Sequence, residues 1–124
     1  MIEIKKIELG SVVASIIEKF NLNATENDIV MGVFDGPSVI GAGSLSLIGT
    51  KVYLSDLKLD ESNNNTQMLL SLARSVLFHA DLKGIKTVYA KNEEIYPTLK
   101  LLRFKEDGNE LSLDLEGFFT SECN

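Results

Sequence analysis

Residues 57–70 read Leu57-Lys58-Leu59-Asp60-Glu61-Ser62-Asn63-Asn64-Asn65-Thr66-Gln67-Met68-Leu69-Leu70, a strand that passes through a polar turn directly into an apolar helix. A helix N-terminus carries unpaired amides and the positive end of the helix dipole, so such a turn is a common place for a phosphate-containing ligand. Turns of this kind usually hold glycines, which let backbone approach a phosphate with no Cβ in between. Here the turn offers three consecutive asparagines, a threonine and a glutamine, and no glycine.

Downstream, Met68, Leu69, Leu72, Ala73, Val76, Leu77 and Ala80 recur at helical spacing, and Gly84 stands where that helix should end. Residues 85–90 then read as a strand. A strand, helix, strand order implies two parallel strands joined by a right-handed crossover. Upstream, residues 29–34, 39–48 and 52–59 are apolar, β-prone runs separated by Asp35-Gly36-Pro37 and Gly49-Thr50. Turns that short make the three runs antiparallel neighbours.

The third of these runs changes parity. Val52 and Leu54 set one alternation, Leu57 and Leu59 the other. One extra residue near Ser55-Asp56, a β-bulge, would return all four to one face and leave a backbone group unpaired with the neighbouring strand. Alternatively both faces of the strand are buried and parity carries no information.

At the two ends, Ile2, Ile4 and Ile7 suggest a first strand, and Ser11 is placed to cap a helix containing Val12, Val13, Ile16, Ile17 and Phe20. Residues 94–102 suggest a short helix with Pro97 in its first turn. Phe104 opens a hairpin around Asp107-Gly108 that returns through Leu111, Leu113 and Leu115. The expected architecture is α+β: a mixed, mostly antiparallel sheet of about six or seven strands with about three helices. Residues 1–124 are expected to form a single domain.

Composition narrows the function classes. The chain has 124 residues, 44% hydrophobic and 24% charged, with a net charge of -6. Lys5-Lys6 is the only adjacent basic pair, so nucleic acid is not an expected partner. No run reaches the length of a membrane span and residues 1–6 have no signal-peptide character, so a cytoplasmic location and no membrane partner are expected. The single cysteine, Cys123, cannot form a disulfide within the chain, and no His/Cys/Asp cluster has metal-ligand spacing, so no metal is expected.

The element order, with the polar turn after the third meander strand, resembles the GNAT superfamily of acyl-CoA-dependent N-acyltransferases. That family carries an Arg/Gln-x-x-Gly-x-Gly/Ala turn between its fourth strand and the following helix. Counted back from Gly84, the turn falls on Asn64-Asn65-Thr66-Gln67-Met68-Leu69. Asn64 takes the Arg/Gln position, and Gln67 and Leu69 take the two glycine positions, so the motif is degenerate. Gly84-Ile85-Lys86-Thr87-Val88-Tyr89 matches the start of the family's fifth strand, Asn92 an asparagine often found after it, and Leu102-Arg103-Phe104 its Leu-Gly-Phe-like element. The likeness covers residues 28–104.

The resemblance implies acetyl transfer from acetyl-CoA, or another acyl-CoA, to an unidentified amine by direct attack. It places the pyrophosphate on the amides of Asn64, Asn65, Thr66, Gln67, Met68 and Leu69, Asn92 near the cosubstrate, and the thioester carbonyl against a backbone amide between Leu57 and Leu59. The family's thiolate-protonating tyrosine falls on Leu99, with Tyr96 about one helical turn earlier as the substitute. Asp56 is the first candidate for deprotonating the amine, Glu61 the second. The missing glycines and Leu99 favour a different reading, a catalytically inactive GNAT-fold module acting in CoA sensing or protein–protein interaction, with a homodimer through the apolar tail. An unrelated α+β domain is a third.

Three further features have bland readings beside functional ones. His79 has no spaced partner and reads as a boundary residue. Cys123 reads as packing or an incidental thiol. The small-residue run Gly41-Ala42-Gly43-Ser44 reads as a strand closely approached by another backbone, or as room for an acyl group.

Overall fold

The computed structural model describes residues 2–119. Strand β1 (Ile2–Lys6) leads to helix α1 (Gly10–Phe20) and then to the meander β2 (Ile29–Asp35), β3 (Ser38–Ile48) and β4 (Lys51–Leu59). Helix α2 (Thr66–Leu82) crosses to β5 (Thr87–Ala90), α3 (Tyr96–Leu101) follows, and the hairpin β6 (Lys105–Asp107) and β7 (Glu110–Asp114) closes the sheet. Among the described residues seven strands form one sheet in the order β1-β2-β3-β4-β5-β7-β6, with only the β4–β5 pair parallel. This is the expected α+β architecture.

The helices sit on opposite faces of the sheet. Leu72, Val76 and Leu77 of α2, together with Leu99 of α3, pack on Leu54, Leu57 and Val88. On the other face, Val13 and Ile16 of α1 cover Val30 and Ala42, so α1 shields the β2–β3 side only. Burial of these apolar side chains is the main favourable contribution to the fold.

The parity switch in β4 marks a real bulge. Ser44 pairs with Asp56 and Leu45 with Leu54, leaving Ser55 as the extra residue. Val52, Leu54, Leu57 and Leu59 consequently all meet the α2-side core. A second irregularity lies between β2 and β3, where Val33 pairs with Gly41 and Phe34 with Val39, so Ile40 is extra. Apolar residues on both sides of Ile40 gave no parity signal for it.

Several local expectations need correction. Ser11 lies inside α1 and does not cap it; Leu9 occupies the cap, and its carbonyl accepts the amides of Val12 and Val13. Val12 faces outward, 37% exposed, because the buried stripe runs through Val13 and Ile16. Ile85 precedes β5 and packs on its core from outside the strand. The small-residue strand leaves no room for an acyl group. A Cβ on Gly41 would stand 2.5 Å from the Leu59 side chain and 2.7 Å from the Lys58 carbonyl, and one on Gly43 would stand 3.1 Å from both Leu57 and Val76. The close backbone approach is the correct reading there.

Helix ends follow the local chemistry. Asn21 closes α1 in the left-handed region at φ 50°, which asparagine tolerates better than most residues. Gly84, at φ +81°, ends α2 where the sequence placed it.

Candidate functional site

Strands β4 and β5 pair at only two positions, Val52 with Val88 and Tyr53 with Tyr89. Beyond them β5 ends at Ala90 while β4 continues to Leu59. Residues 54–59 therefore lack a strand neighbour on that side among the described residues, and the sheet opens into a wedge. The Ser55 bulge lies in the wedge, and α2 begins just beyond the end of β4.

Asn92 bridges the opening. Its Nδ2 donates to the Ser55 carbonyl at 3.1 Å and to Asp56 Oδ1 at 3.3 Å, while its Oδ1 accepts the Glu94 amide at 3.1 Å. Asp56 is only 1% exposed. Its Oδ2 accepts the Asn23 amide at 2.8 Å, and its Oδ1 also accepts the Leu57 amide at 2.9 Å. The carboxylate thus ties the bulge to the loop after α1 and to the end of β5. Its burial is what a charged group tolerates only when donors surround it. The Leu57 amide, in the segment expected to face a thioester carbonyl, is occupied by this carboxylate.

The start of α2 is partly filled by its own side chains. Asn65 caps the helix, its Oδ1 accepting the Met68 amide at 2.9 Å, and its carbonyl accepts the Leu69 amide at 3.1 Å. Of the six residues 64–69, the first-turn amides of Thr66 and Gln67 keep no intrahelical acceptor. Asp60 caps the preceding short turn by accepting the Asn63 amide and carboxamide at 3.1 and 2.8 Å. Met68 and Leu69 are half-buried against the core. Glu61 is exposed at the tip of the same turn.

Leu99 is fully buried in the core, which leaves no hydroxyl at that position. Tyr96 lies on the same short helix, and its hydroxyl donates to the carbonyl of Ala90, the last residue of β5, at 3.3 Å. Burial first, then the negative charges of Glu93 and Glu110, hold its pKa above the ordinary tyrosine value. The structure brings the candidates Asp56, Leu57 and Asn92 together at the bulge and ties Tyr96 to the end of β5, through contacts that the sequence did not reveal.

A cavity of about 860 Å³ opens beside the bulge, on the face opposite α2. The loop after α1 forms one wall through Asn23, Thr25 and Asp28, while Ser46, Ser55 and Tyr53 form the floor. The hydroxyls of Ser46 and Ser55 lie 2.5 Å apart. Lys91 forms the far wall, its Nζ 4.8 Å from the centre of the Tyr53 ring. Tyr53 in turn donates to Glu110 Oε2 at 2.7 Å, and Lys51 lies 3.5 Å from Glu110 Oε1 and over the Tyr89 ring. The Tyr53 hydrogen bond is the largest cause holding the Glu110 carboxyl below its ordinary pKa, with both lysines adding to it. These groups were not singled out in the sequence, since they come from four separate strands and loops.

His79 stands apart from this site on α2, with a buried Nε2 that has no hydrogen-bond partner among the described residues. Burial, then Lys83, lowers its pKa from the ordinary histidine value. Cys123 lies outside the described residues; Phe118 and Phe119 pack edge-to-face with ring centres 4.8 Å apart. No helix among the described residues is long and apolar enough to cross a membrane.

No family model and no curated protein matches the sequence. Solved structures do match the fold. The IAA acetyltransferase from Bacillus cereus ATCC 14579 is similar at a TM-score of 0.70 and 11% identity, over 93% of this chain and 100% of that one. A GNAT family acetyltransferase from Elizabethkingia anophelis with acetyl-CoA bound gives 0.65 and 11%, over 92% and 98%. The PaiA N-acetyltransferase from Thermoplasma acidophilum in complex with coenzyme A gives 0.64 and 16%, over 90% and 96%. A mixed sheet split between parallel β4 and β5, with a helix starting beside the split, is the acyl-CoA N-acyltransferase class of fold. More narrowly, this chain has the fold of the GNAT superfamily.

Proposed function

We propose that the protein, read as one GNAT-like domain over residues 1–124, is an acyl-CoA-dependent N-acyltransferase acting in the cytoplasm. The observation that carries this reading is the coincidence of three features at one wedge: the Ser55 bulge, the α2 start and the cavity on the opposite face. Acyl-CoA lies along the wedge, its pyrophosphate on the Thr66 and Gln67 amides and its thioester toward Leu57. The amine comes from the cavity and attacks the carbonyl; a C–N bond forms, the C–S bond breaks, and the thiolate leaves. Tyr96 gives the departing sulfur its proton. Asp56 receives the amine's proton, through water, once its side chain turns away from Leu57. That same turn releases the Leu57 amide to polarise the carbonyl, so one rotation supplies both groups.

The decisive experiment is calorimetric titration with acetyl-CoA, because a ligand that binds the folded state must also raise its stability. Heat of binding, followed by thiol release with a panel of amines, is the expected result. Absence of both heat and thermal shift at millimolar acetyl-CoA would sink the proposal.

A second reading, a GNAT-fold module without transfer chemistry, is favoured by a specific observation. Two amides of the segments along which acyl-CoA would lie, Leu57 and Met68, already donate to side chains of the protein itself. Acetyl-CoA binding with no thiol release above that of Tyr96→Phe would select it.

A further inference from the structure

Strand β1 is an edge of the sheet: β2 pairs with it on one side, and no described strand pairs with it on the other. Its register places Lys6 opposite Met31, so Ile7 comes opposite Val30, and the Ile7 amide donates to the Val30 carbonyl at 2.9 Å. Hydrogen-bonded pairs alternate along an antiparallel ladder, so Glu3 and Lys5 also turn their amides and carbonyls toward β2. Those of Ile2, Ile4 and Lys6 point away from the sheet, a row of donors and acceptors open to a further strand.

The side chains sort by the same alternation. Ile4 stands opposite Val33 on the α2 face and lines a groove of about 320 Å³ with Met31, Phe78 and Leu82. Phe78 is 48% exposed and Leu82 68%, and Ile2, on the same face, is 41% exposed. Glu3 and Lys5 lie on the opposite face, both exposed, with 3.4 Å between their charged groups.

Charges on an edge strand usually keep other strands away. Here their order selects a partner. A second copy of β1 running antiparallel must match its outward groups to those of Ile2, Ile4 and Lys6. Centred on Glu3, the pairing sets Glu3 against the partner's Glu3; centred on Lys5, it sets Lys5 against the partner's Lys5. Like charges directly opposite are destabilising. Centred on Ile4, Glu3 faces the partner's Lys5 on one side and Lys5 faces the partner's Glu3 on the other. These are non-hydrogen-bonded pairs, in which opposed side chains come closest. In that same register Ile4 exchanges backbone bonds with the partner's Ile4, and Ile2 with the partner's Lys6. The two-fold axis stands perpendicular to the sheet, so both copies keep α2 on the same side and their two apolar grooves meet at Ile4.

We infer that β1 is a self-association edge, at which two copies of this chain pair antiparallel about Ile4 into one continuous sheet. Glu3 and Lys5 fix the register, and Ile2 and Ile4 are covered across the seam. The inference does not rest on the transferase reading, since β2 and β3 separate this edge from β4.

A seam of five residues per copy is small, so sedimentation equilibrium is run from roughly 5 to 500 μM protein, the range suited to a weak interface. Amide hydrogen exchange is followed by NMR over the same range. A dimer should form, and its formation should slow exchange at Ile4 and Lys6. Lys5 and Ile7, already bonded to β2, should be protected at every concentration. Glu3→Lys and Lys5→Glu should each weaken the dimer at least about tenfold, because two like-charge pairs replace two opposite ones. The double variant should restore it, and so should an equimolar mixture of the two single variants, in which opposite charges again face each other. Unaltered spectra away from β1 report an intact fold in each variant. A chain that stays monomeric, a dimer indifferent to both single variants, or one whose Ile4 and Lys6 amides stay unprotected would overturn the inference. Loss in the single variants without recovery in the mixture would do the same. Protection of these amides at every concentration would mean that another segment of the chain covers the edge, and would overturn it too.

Discussion

The carboxylate of Asp56 accepts the backbone amide of the residue that follows it, Leu57, at 2.9 Å. A short side chain has turned back onto its own strand, in the stretch of β4 that runs on beyond the end of β5. The same carboxylate also receives Asn23 and Asn92, so it is the common partner of three segments far apart in sequence.

Removing it should therefore be costly. Asp56→Ala leaves the amides of Asn23 and Leu57 without their acceptor and takes from the Asn92 carboxamide one of its two. A loss of about 2–4 kcal/mol is expected, the penalty for stranding buried donors. Urea denaturation checks this; the midpoint should fall while the slope stays the same.

At the α2 start, Asn65→Gly separates capping from ligand binding. Glycine at a helix cap costs only about a few tenths of a kcal/mol relative to asparagine, and the cap residue is in extended backbone that glycine adopts freely. The substitution frees the Met68 amide. Calorimetry should show acetyl-CoA binding tightened by about fivefold, the equivalent of about 1 kcal/mol from one added amide–phosphate hydrogen bond. Unchanged or weaker binding would mean that the Met68 amide does not reach a phosphate.

Tyr53→Phe tests the Glu110 contact through pH. In the folded protein Glu110 titrates below its ordinary value of 4.5, chiefly because Tyr53 donates to it. The unfolded chain then binds more protons in that window, so stability rises with pH there. The contribution is fully present above about 4.5 and is lost as pH falls through the lower, folded value. In the variant, carboxyl NMR titration should move Glu110 upward, and the acid-side loss of stability should shrink.

Gly41→Ala should destabilise the sheet. The new Cβ would lie 2.7 Å from the Lys58 carbonyl, and a paired strand cannot yield as a side-chain tip can. Thermal unfolding should report a loss of about 1–3 kcal/mol, typical of overpacking. Gly10→Ala is the matched control: nothing lies within 4 Å of its Cβ. It should be neutral or gain about 0.5 kcal/mol through the unfolded state.

The meander, the α2 crossover and the closing hairpin were legible because each is written in local periodicity and turn chemistry. The Ser55 bulge was legible for the same reason, since one misplaced apolar pair reports an extra residue. Burial of Asp56 was not, because its partners Asn23 and Asn92 are 33 and 36 residues away. The resemblance made Asn65 a candidate cradle residue; that its side chain caps the helix through the Met68 amide is a tertiary detail the motif position does not carry. The four-membered set of Lys51, Tyr53, Lys91 and Glu110 was missed because cross-strand register, not spacing, assembles it.

The extra residue at Ser55 also makes β4 two strands in one, each half holding its own facing. Loss of that single codon would swap the faces of residues 51–54, driving Tyr53 into the apolar core and leaving Leu54 in water. Point changes around the cavity can drift one at a time, while a change of length here breaks core and cavity together. The strand should tolerate substitution around the cavity and not the deletion of Ser55.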